Sequence, residues 1–544
     1  MHRSRRKTVL RLVAGPCLAL AAACSSSGGT DGGGEGARAP DPPGDLALSV
    51  TGTSVTAGWT PVRGMRGYRL YWTLDATLAI TRGTAVSVTA PPHTLADLPG
   101  GSVVRVAVAS IEGDLEGLPG AEVQTTVGEA GGGDSGGSQY FPDWADVEPS
   151  EVLALDHDPG KSAEQNGAAL RSLVLSLLPG QRLEIGSGTF ALDSRFGIHL
   201  AGTAEAPIWI VAKEGATPVV TRAGASQNTI DVDHARYLCL RGLEITGGSI
   251  ALRMHDCSQV WIDRCHVHDS QDNAIAANSQ PTDHLYFTRN EVHSTGGTGE
   301  GFYIGGNHAS PISHHGVIAL NHVYDTAGSQ GDGIELKQGS YAYWIAENVV
   351  HDTQYPCILV YGTGGEEPNL IERNLCWNAG ADVMQVQGEA IVRNNVLMYG
   401  SGGFASHDHQ GESRDLVFVH NTIVNDRHGA RLSSWGGREG MVFANNVVYS
   451  QSYGSIVFSG TGSAGVDVRG NVVVGSVVGV TDGFTIGGGL DDFVDASWDG
   501  TRRDVTPTGF GAIPGMGVEA FVTEVDFHGV ARELPVDPGA VDVK

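Results

Sequence analysis

The chain has 544 residues, and 34 basic against 61 acidic residues give it a formal net charge of −27. This charge argues against binding to nucleic acid or to an anionic membrane surface, and it favours solubility. The length is sufficient for two or more domains. The 78 glycines show no collagen-like period and therefore indicate many tight turns.

The N-terminal 24 residues read MHRSRRKTVLRLVAGPCLALAAAC. A basic start, an apolar run too short to span a bilayer and a small-residue end predict an export signal. The segment LAAAC resembles a bacterial lipoprotein signal, which implies cleavage before Cys24 and its lipidation; an ordinary secretory peptide is the alternative. Residues 25–43 are rich in Ser, Gly and Pro and predict a disordered tether. We therefore expect an exported monomer that touches the membrane only through its lipid.

Residues 44–127 alternate apolar and polar residues in short runs separated by Gly and Pro, a pattern that predicts a small β-sandwich. Trp59 followed by Pro61, the run GYRLYW at 67–72 and the turn LADLPGG resemble a fibronectin type III domain. The resemblance implies a spacer or a weak binding module. Residues 128–140, rich in Gly and Ser, predict a flexible linker.

A repeat occupies the chain beyond the linker. Asparagine followed by apolar or aromatic residues recurs at intervals of 21 to 31 residues, at Asn290, Asn321, Asn348, Asn374, Asn395, Asn421, Asn446 and Asn471. Each period holds short strand patterns and no helix, and a single coil of this kind buries its apolar residues only by stacking on its neighbours. The sequence therefore predicts an all-β fold, a right-handed parallel β-helix with the asparagines stacked in one turn.

Both flanks of the repeat fit this architecture. SAEQNGAALRSLVLSLLPGQ begins near Ser162 with a cap-like start and is amphipathic, so we expect a helix that closes the end of the solenoid. With the following LEIGSGTF, it resembles the opening of pectate-lyase-like β-helix proteins, nearest the chondroitinase B and alginate lyase branch. The ending DFHGVARELPVDPGAVDV resembles a tail common in secreted members. Residues 141–490 are predicted to form the β-helix with its cap, and residues 491–544 its C-terminal tail.

Alternate residues of a strand point to opposite sides. Alignment of one strand per coil places a series of mainly polar and aromatic side chains on the outer face. These are Tyr303, Glu335 and Lys337, Leu359 and Tyr361, Gln385 and Gln387, Ala405 and His407, and Arg431, with Trp435 and His409 extending the row. Aromatic rings stack on pyranose rings while polar groups bind hydroxyls, so this face predicts a groove for an acidic polysaccharide. Of these, Tyr303, Gln385, Gln387, His407, Arg431 and Trp435, together with Asn307, are the predicted substrate-binding residues.

One reaction suited to this face is β-elimination on a uronic acid polymer. It requires a base for the proton beside the sugar carboxylate, an acid for the leaving oxygen and neutralisation of the carboxylate. Lys337 is the candidate base if its pKa is lowered, and Tyr361 is the candidate acid. Gln387 or Asn307 are candidates to contact the carboxylate. The segment ELKQGS, with Glu335 and Lys337, resembles the lysine-bearing motif of alginate and chondroitin lyases and implies a catalytic role for both residues.

That family also uses an arginine one coil later, where this chain reads CILVYG. Arg431 lies four coils beyond Lys337, about 19 Å at the rise of a parallel sheet, and does not reach the same sugar atom. A non-catalytic, glycan-binding or structural surface protein therefore remains the alternative to a polysaccharide lyase.

Two acidic residues precede the aligned strands. Glu300 and Asp332 are expected on neighbouring coils, where two carboxylates repel each other unless they share a cation, so Ca²⁺ is a candidate cofactor. Two solvated turn acids are the alternative. His407 and His409 share one face and are candidates either for metal binding or for lining a polar groove. The five cysteines beyond the signal are an odd number without metal-site spacing, which favours small buried thiols.

Overall fold

The structure, a computed structural model, describes residues 43–51, 54–62, 65, 67–74, 84–95, 103–112, 115–116, 123–126 and 139–543. The predicted signal, Cys24, the tether and nearly all of the linker lie outside these residues. Among the described residues, no helix has the length and apolar character needed to cross a membrane.

Two antiparallel sheets form the first part of the described chain. One contains Gly44–Thr51, Ser54–Thr60 and His93–Leu95; the other contains Gly67–Thr73, Thr84–Val88, Val103–Glu112, Leu115–Glu116 and Val123–Thr126. Trp59 is buried in a core of residues from both sheets, with its ring 5.3 Å from that of Tyr68. The fibronectin type III assignment stays a prediction.

The remaining chain is a parallel β-helix whose coils each contribute up to three short strands, and we call the three stacks of strands faces A, B and C. Face A is a 14-stranded sheet. Its strands are Glu151–Leu155, Gln181–Ile185, Ile208–Ala212, Arg236–Arg241, Ser258–Asp263, Thr282–Thr288, Ser313–His314, Val317–Ala319, Trp344–Ala346, Asn369–Glu372, Ala390–Arg393, Leu416–Val419, Val442–Ala444 and Asp467–Arg469.

Faces B and C belong to one 23-stranded sheet. Face B contains Gly188–Ala191, Pro218–Arg222, Glu244–Gly247, His266–His268, Glu291–His293, His322–Thr326, Val349–Thr353, Leu375–Ala379, Val396–Met398, Thr422–Asn425, Asn471–Val478 and Phe484–Ile486. Face C contains Gly197–Ile198, Ile230–Asp233, Leu252–His255, Ile275–Ala277, Phe302–Ile304, Ile334–Leu336, Ile358–Val360, Asp382–Val386, Gly402–Ser406 and His428–Ser433. The long strand Val447–Ser459 pairs with both faces.

The asparagine repeat forms the predicted ladder between faces A and B. The side-chain oxygen of Asn348 accepts from the backbone N–H of Asn321 at 3.0 Å and from its side-chain amide at 2.9 Å. The side-chain amide of Asn348 donates to the side-chain oxygen of Asn374 at 2.9 Å and to the carbonyl of Ile318 at 2.8 Å. The same bonding continues from Asn290 to Asn471. Because these amides are buried, each coil fixes the register of the next.

The predicted cap is present as the helix Ala163–Val174. The Ser162 hydroxyl accepts from the backbone N–H of Gln165, whose side-chain oxygen accepts from the backbone N–H of Ser162, so a capping box starts the helix. Leu170 and Val174 enter the solenoid core. A β-carbon at Gly167 would approach the carbonyl oxygen of Ala191 to 2.0 Å, so this close packing requires glycine.

The C-terminal residues pack along the coils. The strand Phe493–Ala496 pairs antiparallel with Arg503–Pro507 and follows a short 3₁₀ helix, Leu490–Asp492. A second 3₁₀ helix, Asn307–Ala309, lies within the β-helix. The buried Arg532 guanidinium donates to the side-chain oxygen of Asn394 at 2.9 Å and to the carbonyl of Gly539 at 2.8 Å. All five cysteines beyond the signal are buried and free, as expected: Cys239, Cys257, Cys265, Cys357 and Cys376.

Candidate functional site

The outward row predicted on face C is present in the predicted register. Pairing along the strands runs Tyr303, Glu335, Leu359, Gln385, Ala405 and Arg431 in successive coils. Their strand neighbours Ile304, Ile334, Leu336, Ile358 and Val360 lie in the hydrophobic core. Arg431 is therefore four coils from Glu335, as the repeat predicts.

Glu335 and Lys337 are covered rather than open to solvent, with 2 % and 4 % of their surfaces exposed. The Lys337 ammonium forms an ion pair with Glu335. The ammonium also lies 4.6 Å from the ring centroid of Tyr303 and 5.3 Å from that of Tyr361. Since these rings flank the charge from adjacent coils, Lys337 is held in one position by both charge and aromatic contact.

Two chain segments far apart in sequence meet beside this lysine. The Gln410 side chain donates to the Asn307 side-chain oxygen at 3.3 Å and accepts from the backbone N–H of His308 at 3.3 Å. The ring of His409 lies 5.0 Å from that of Tyr361. Asn307 and His409 are exposed, whereas Tyr361 is 4 % exposed. These two loops, residues 306–310 and 407–413, border the site.

Three carboxylates converge beside Lys337, and we call Glu300, Asp332 and Glu335 the acidic cluster. One carboxylate oxygen from each lies within 4.8 Å of the others. Glu300 and Asp332 occupy neighbouring coils, as predicted, because the N–H of Gly301 donates to the carbonyl of Asp332 at 2.9 Å. The Asn273 amide, one coil before Glu300, donates to the Glu300 carboxylate.

Each member of the acidic cluster has one buried oxygen without a hydrogen-bond partner: Glu300 Oε1, Asp332 Oδ1 and Glu335 Oε2. All three residues are at most 2 % exposed. Buried polar atoms are almost always paired, so three unpaired carboxylate oxygens in one place need an explanation. Carboxylate oxygens are the ligands that Ca²⁺ prefers, so Glu300, Asp332 and Glu335 are the candidates to hold such an ion. The two solvated turn acids of the alternative interpretation do not match this burial.

The electrostatics of the site reflect an excess of negative charge. Burial raises the pKa of Glu300 to about 7. Burial and the carboxylates of Glu335 and Glu300 hold the pKa of Asp332 well above its usual range. Burial also raises the pKa of Glu335, although Lys337 opposes this. One lysine facing three carboxylates leaves a net negative charge when all four groups are ionised.

Lys337 does not have the lowered pKa that its proposed role as a base requires. Burial lowers the pKa of Lys337, but the Glu335 carboxylate and the Tyr303 hydroxyl together outweigh burial, and the resulting pKa lies above the ordinary value. Burial raises the pKa of Tyr361, and the carboxylates of Glu335 and Asp332 add to this effect. In this arrangement Lys337 is an ammonium and Tyr361 a neutral phenol.

The other predicted residues lie at varying distances from the lysine. Gln387 is buried and donates to the carbonyl of Glu412 at 3.3 Å, while Gln385 and His407 are half-buried. Arg431 binds Asp382, with 2.6 Å from Nη2 to Oδ2.

The expectation that Trp435 extends the outer row is wrong. Trp435 is fully buried, its indole N–H donates to the Ser406 hydroxyl at 2.9 Å, and its ring packs near Phe443 and Phe458. It follows the last strand of the row in a turn, where the alternation of a strand no longer fixes the direction of a side chain.

Asn273 was missed by the sequence analysis, although a signal for it exists. It stands 27 residues before Glu300, one coil length earlier, and immediately before a strand of the same face. The interval of the asparagine repeat alone would have placed the side chains of Asn273 and Glu300 on adjacent coils.

The fold and this site define a right-handed parallel β-helix protein with a buried acidic cluster beside a lysine on one face. A family model described as a right handed beta helix region matches residues 220–375. Among solved structures, an alginate lyase from Paenibacillus sp. str. FPU-7 is 16 % identical, with 62 % of this chain and 99 % of that chain covered and a TM-score of 0.40.

Two further structures illustrate the range of similarity. A mannuronic acid specific polysaccharide family 6 lyase from human gut microbiota is 12 % identical, covering 61 % of this chain and 85 % of that chain with a TM-score of 0.40. The fn3 domain of human collagen alpha-1(XX) chain is 28 % identical, covering 19 % of this chain and all of that domain with a TM-score of 0.16. No curated protein matches the sequence significantly.

Proposed function

We propose that this protein is exported and lipid-anchored through Cys24, and that it cleaves a uronic acid polymer by β-elimination on face C. The observation that carries the proposal is the position of Lys337. Its ammonium lies between the rings of Tyr303 and Tyr361 and next to an acidic cluster with three unpaired oxygens. This combination offers a proton acceptor, a proton donor and a cation site within three successive coils.

In the proposed reaction, Lys337 in its neutral form takes the proton from the carbon that bears the sugar carboxylate. The electron pair of that C–H bond forms a double bond to the adjacent ring carbon, and the bond from that carbon to the glycosidic oxygen breaks. The Tyr361 hydroxyl donates a proton to the leaving oxygen. Its raised pKa keeps this phenol protonated at neutral pH, which suits it to act as the acid. No oxidant or water is consumed.

Glu300, Asp332 and Glu335 would hold a calcium ion, which supplies positive charge for the sugar carboxylate when bound. Engagement of Glu335 in that site weakens the ion pair that raises the pKa of Lys337. Burial and the charge of the ion would then both lower the pKa of Lys337 against the remaining contact with Tyr303, towards the range in which a lysine accepts protons. The acidic cluster therefore has two roles, one toward the substrate and one toward the base.

Access of a polymer to Lys337 requires the bordering loops to separate. The Gln410 side chain joins them through two long hydrogen bonds of 3.3 Å between exposed groups, one to the Asn307 side chain and one from the backbone N–H of His308. Such bonds contribute about 1 kcal/mol or less each, so opening costs little. Tyr303, Gln385, His407 and Arg431 then line the face along which the polymer would lie.

The test is product formation on alginate, pectate and chondroitin, followed by the ultraviolet absorbance of the unsaturated uronate. The native chain in calcium should produce it, and Lys337→Ala and Tyr361→Phe should each lose at least about 100-fold in rate, the usual effect of removing an acid or base. Lys161→Ala, an exposed lysine beside the cap helix, is the matched control and should not change the rate. Absence of product from the native chain on all three polymers would refute a lyase of these substrates.

A non-catalytic, glycan-binding surface protein is the second candidate. It is favoured by the absence of an arginine from the segment CILVYG on the next coil of face C, where Leu359 and Tyr361 occupy the outward positions. The raised pKa of Lys337 also agrees with it. Retained binding to one polymer, without product in calcium and with equal affinity in Lys337→Ala, would support this candidate over the lyase.

A further inference from the structure

Face B carries a row of imidazoles that the proposed reaction does not use. Along its strands, His268 pairs with His293, Tyr324 and His351 in successive coils. His266 lies two residues before His268 on the same strand. The rings are close, with centroid distances of 4.2 Å between His266 and His268 and 5.1 Å between His268 and His293.

Three of these side chains have the arrangement of a metal site. One ring nitrogen from each of His266, His268 and His293 lies within 4.8 Å of the others. The Nε2 atoms of His266 and His293 are 2.7 Å apart and share a hydrogen bond, which a common ion would replace. All three residues are half-buried, so the site is partly shielded and still open to a small ion. Three imidazoles from two adjacent coils can thus converge on one point.

The surroundings of His268 fix which of its nitrogens is available. Its Nδ1 lies 2.8 Å from the Asp269 carboxylate, which accepts a hydrogen bond from the Nδ1–H and so leaves the lone pair on Nε2. That Nε2 atom is buried and has no hydrogen-bond partner. The Glu244 carboxylate, on the preceding coil, lies 3.4 Å from it. His268 thus has one carboxylate, Asp269, at Nδ1 and a second carboxylate, Glu244, near Nε2. A carboxylate that accepts from the far nitrogen of a histidine is typical of metal-binding histidines.

The same face contains a matched pair that lacks a third ligand. His322 and His351, one coil apart, have their Nε2 atoms 2.8 Å apart, and His351 Nδ1 lies 2.6 Å from Asp352. The rings next to His351 are Tyr324 and Trp377, which do not supply an imidazole nitrogen. Three convergent nitrogens are therefore specific to the first cluster among the described residues of this row.

We propose that His266, His268 and His293 bind a zinc-type divalent ion, with Glu244 or a water molecule as the fourth ligand. Imidazole nitrogen is a preferred ligand of Zn²⁺ and of the late first-row metals, whereas Ca²⁺ prefers oxygen. The ligands come from the strands Glu244–Gly247, His266–His268 and Glu291–His293, so the ion ties three successive coils together. This site is separate from the acidic cluster and is independent of the proposed lyase activity.

The test uses the full chain, stripped with chelator and then kept in excess calcium so that the acidic cluster is saturated. Titration calorimetry with Zn²⁺ alone should show one ion bound per chain, and Co²⁺ should give the visible absorption of a tetrahedral site. His268→Gln and His293→Gln should each weaken Zn²⁺ binding by at least about 100-fold, and Asp269→Asn by about 10- to 100-fold. His351→Gln is the matched control and should bind Zn²⁺ as the native chain does.

No Zn²⁺ binding by the native chain, or unchanged affinity in both histidine variants, overturns the proposal. Circular dichroism and thermal melting in chelator establish that each variant is folded. Asp269 is exposed, so Asp269→Asn tests the site even if a ring substitution disturbs the strand. A second readout is the melting temperature, which Zn²⁺ should raise in the native chain and in His351→Gln but not in His268→Gln.

Discussion

Replacement of Glu300 by glutamine should stabilise the calcium-free protein at alkaline pH. Glu300 is fully buried, with one oxygen unpaired, and burial raises its pKa from an ordinary value of 4.5 to about 7. The folded protein thus holds this proton more tightly than the unfolded chain. The resulting stabilisation is fully present below pH 4.5 and is lost as the pH rises through about 7. Above that pH, the folded state bears the cost of a buried, uncompensated carboxylate.

The size of the effect follows from the two pKa values. The difference between 4.5 and about 7, at about 1.4 kcal/mol for each tenfold change in proton affinity, is about 3 kcal/mol in the free energy of unfolding. Glutamine keeps the shape and an oxygen that accepts from Asn273, and it removes the charge. In chelator at pH 8, Glu300→Gln should therefore be more stable than the native chain by up to about 3 kcal/mol. At pH 4.5 or below the two proteins should be equally stable.

Calcium should make the native chain more stable than Glu300→Gln at pH 8. The ion compensates the carboxylates of the native cluster and stabilises the folded state in proportion to its binding, whereas the variant has lost one ligand. Urea unfolding, followed by circular dichroism, measures the free energy of unfolding of both proteins under four conditions. These are pH 4.5 and pH 8, each with and without calcium. The exposed Glu205→Gln serves as the control and should change the free energy of unfolding in none of them. Lower stability of Glu300→Gln than of the native chain in chelator at pH 8 would refute the reasoning, because the native carboxylate would then be compensated already.

Three further substitutions test the solenoid. Asn348→Ala removes the acceptor of two buried N–H groups of Asn321 and should lower the free energy of unfolding by about 2 to 6 kcal/mol. Urea unfolding measures this loss, and a loss below about 1 kcal/mol would contradict the ladder argument. Asp263→Ala removes two of the bonds that the buried Arg289 makes, of 2.8 and 2.7 Å, and should cost about 3 to 5 kcal/mol in the free energy of unfolding by the same assay. Ser162→Ala should lower the free energy of unfolding by about 1 kcal/mol, because the cap helix loses its capping box. An unchanged denaturation midpoint in urea would show that the capping box does not stabilise the protein.

The register of the solenoid was predictable because its signal is repeated. Eight successive coils, from Asn290 to Asn471, supply an asparagine at the same corner, so the positions of Tyr303, Glu335 and Arg431 relative to one another follow from counting coils. The neighbouring acids Glu300 and Asp332 follow from the same count. A period in the sequence becomes a distance in space because each coil rises by one strand spacing.

Burial of the site was not predictable in the same way. The sequence shows that Glu335 and Lys337 point away from the core, but not that other chain segments cover them. The contact between Asn307 and Gln410 joins residues 103 positions apart, in loops that do not repeat. The inward position of Trp435 likewise depends on a turn rather than on strand alternation. The contacts of loops and turns do not follow the sequence repeat, so the repeat does not predict them.

The histidine cluster lies between these two cases, because its signal was present but not recognised. The motifs CHVHDS and NEVHS stand one coil apart, so His268 and His293 had to be neighbours on face B. What the spacing does not give is the tautomer of His268, which depends on the carboxylate of Asp269 beside it. A solenoid thus brings chemically reactive side chains together by simple stacking, and the hydrogen bonds of each side chain to its immediate neighbours decide which atoms carry its hydrogens. The acidic cluster and Lys337 follow the same rule, since Glu335 sets the charge of the lysine that the repeat places beside it.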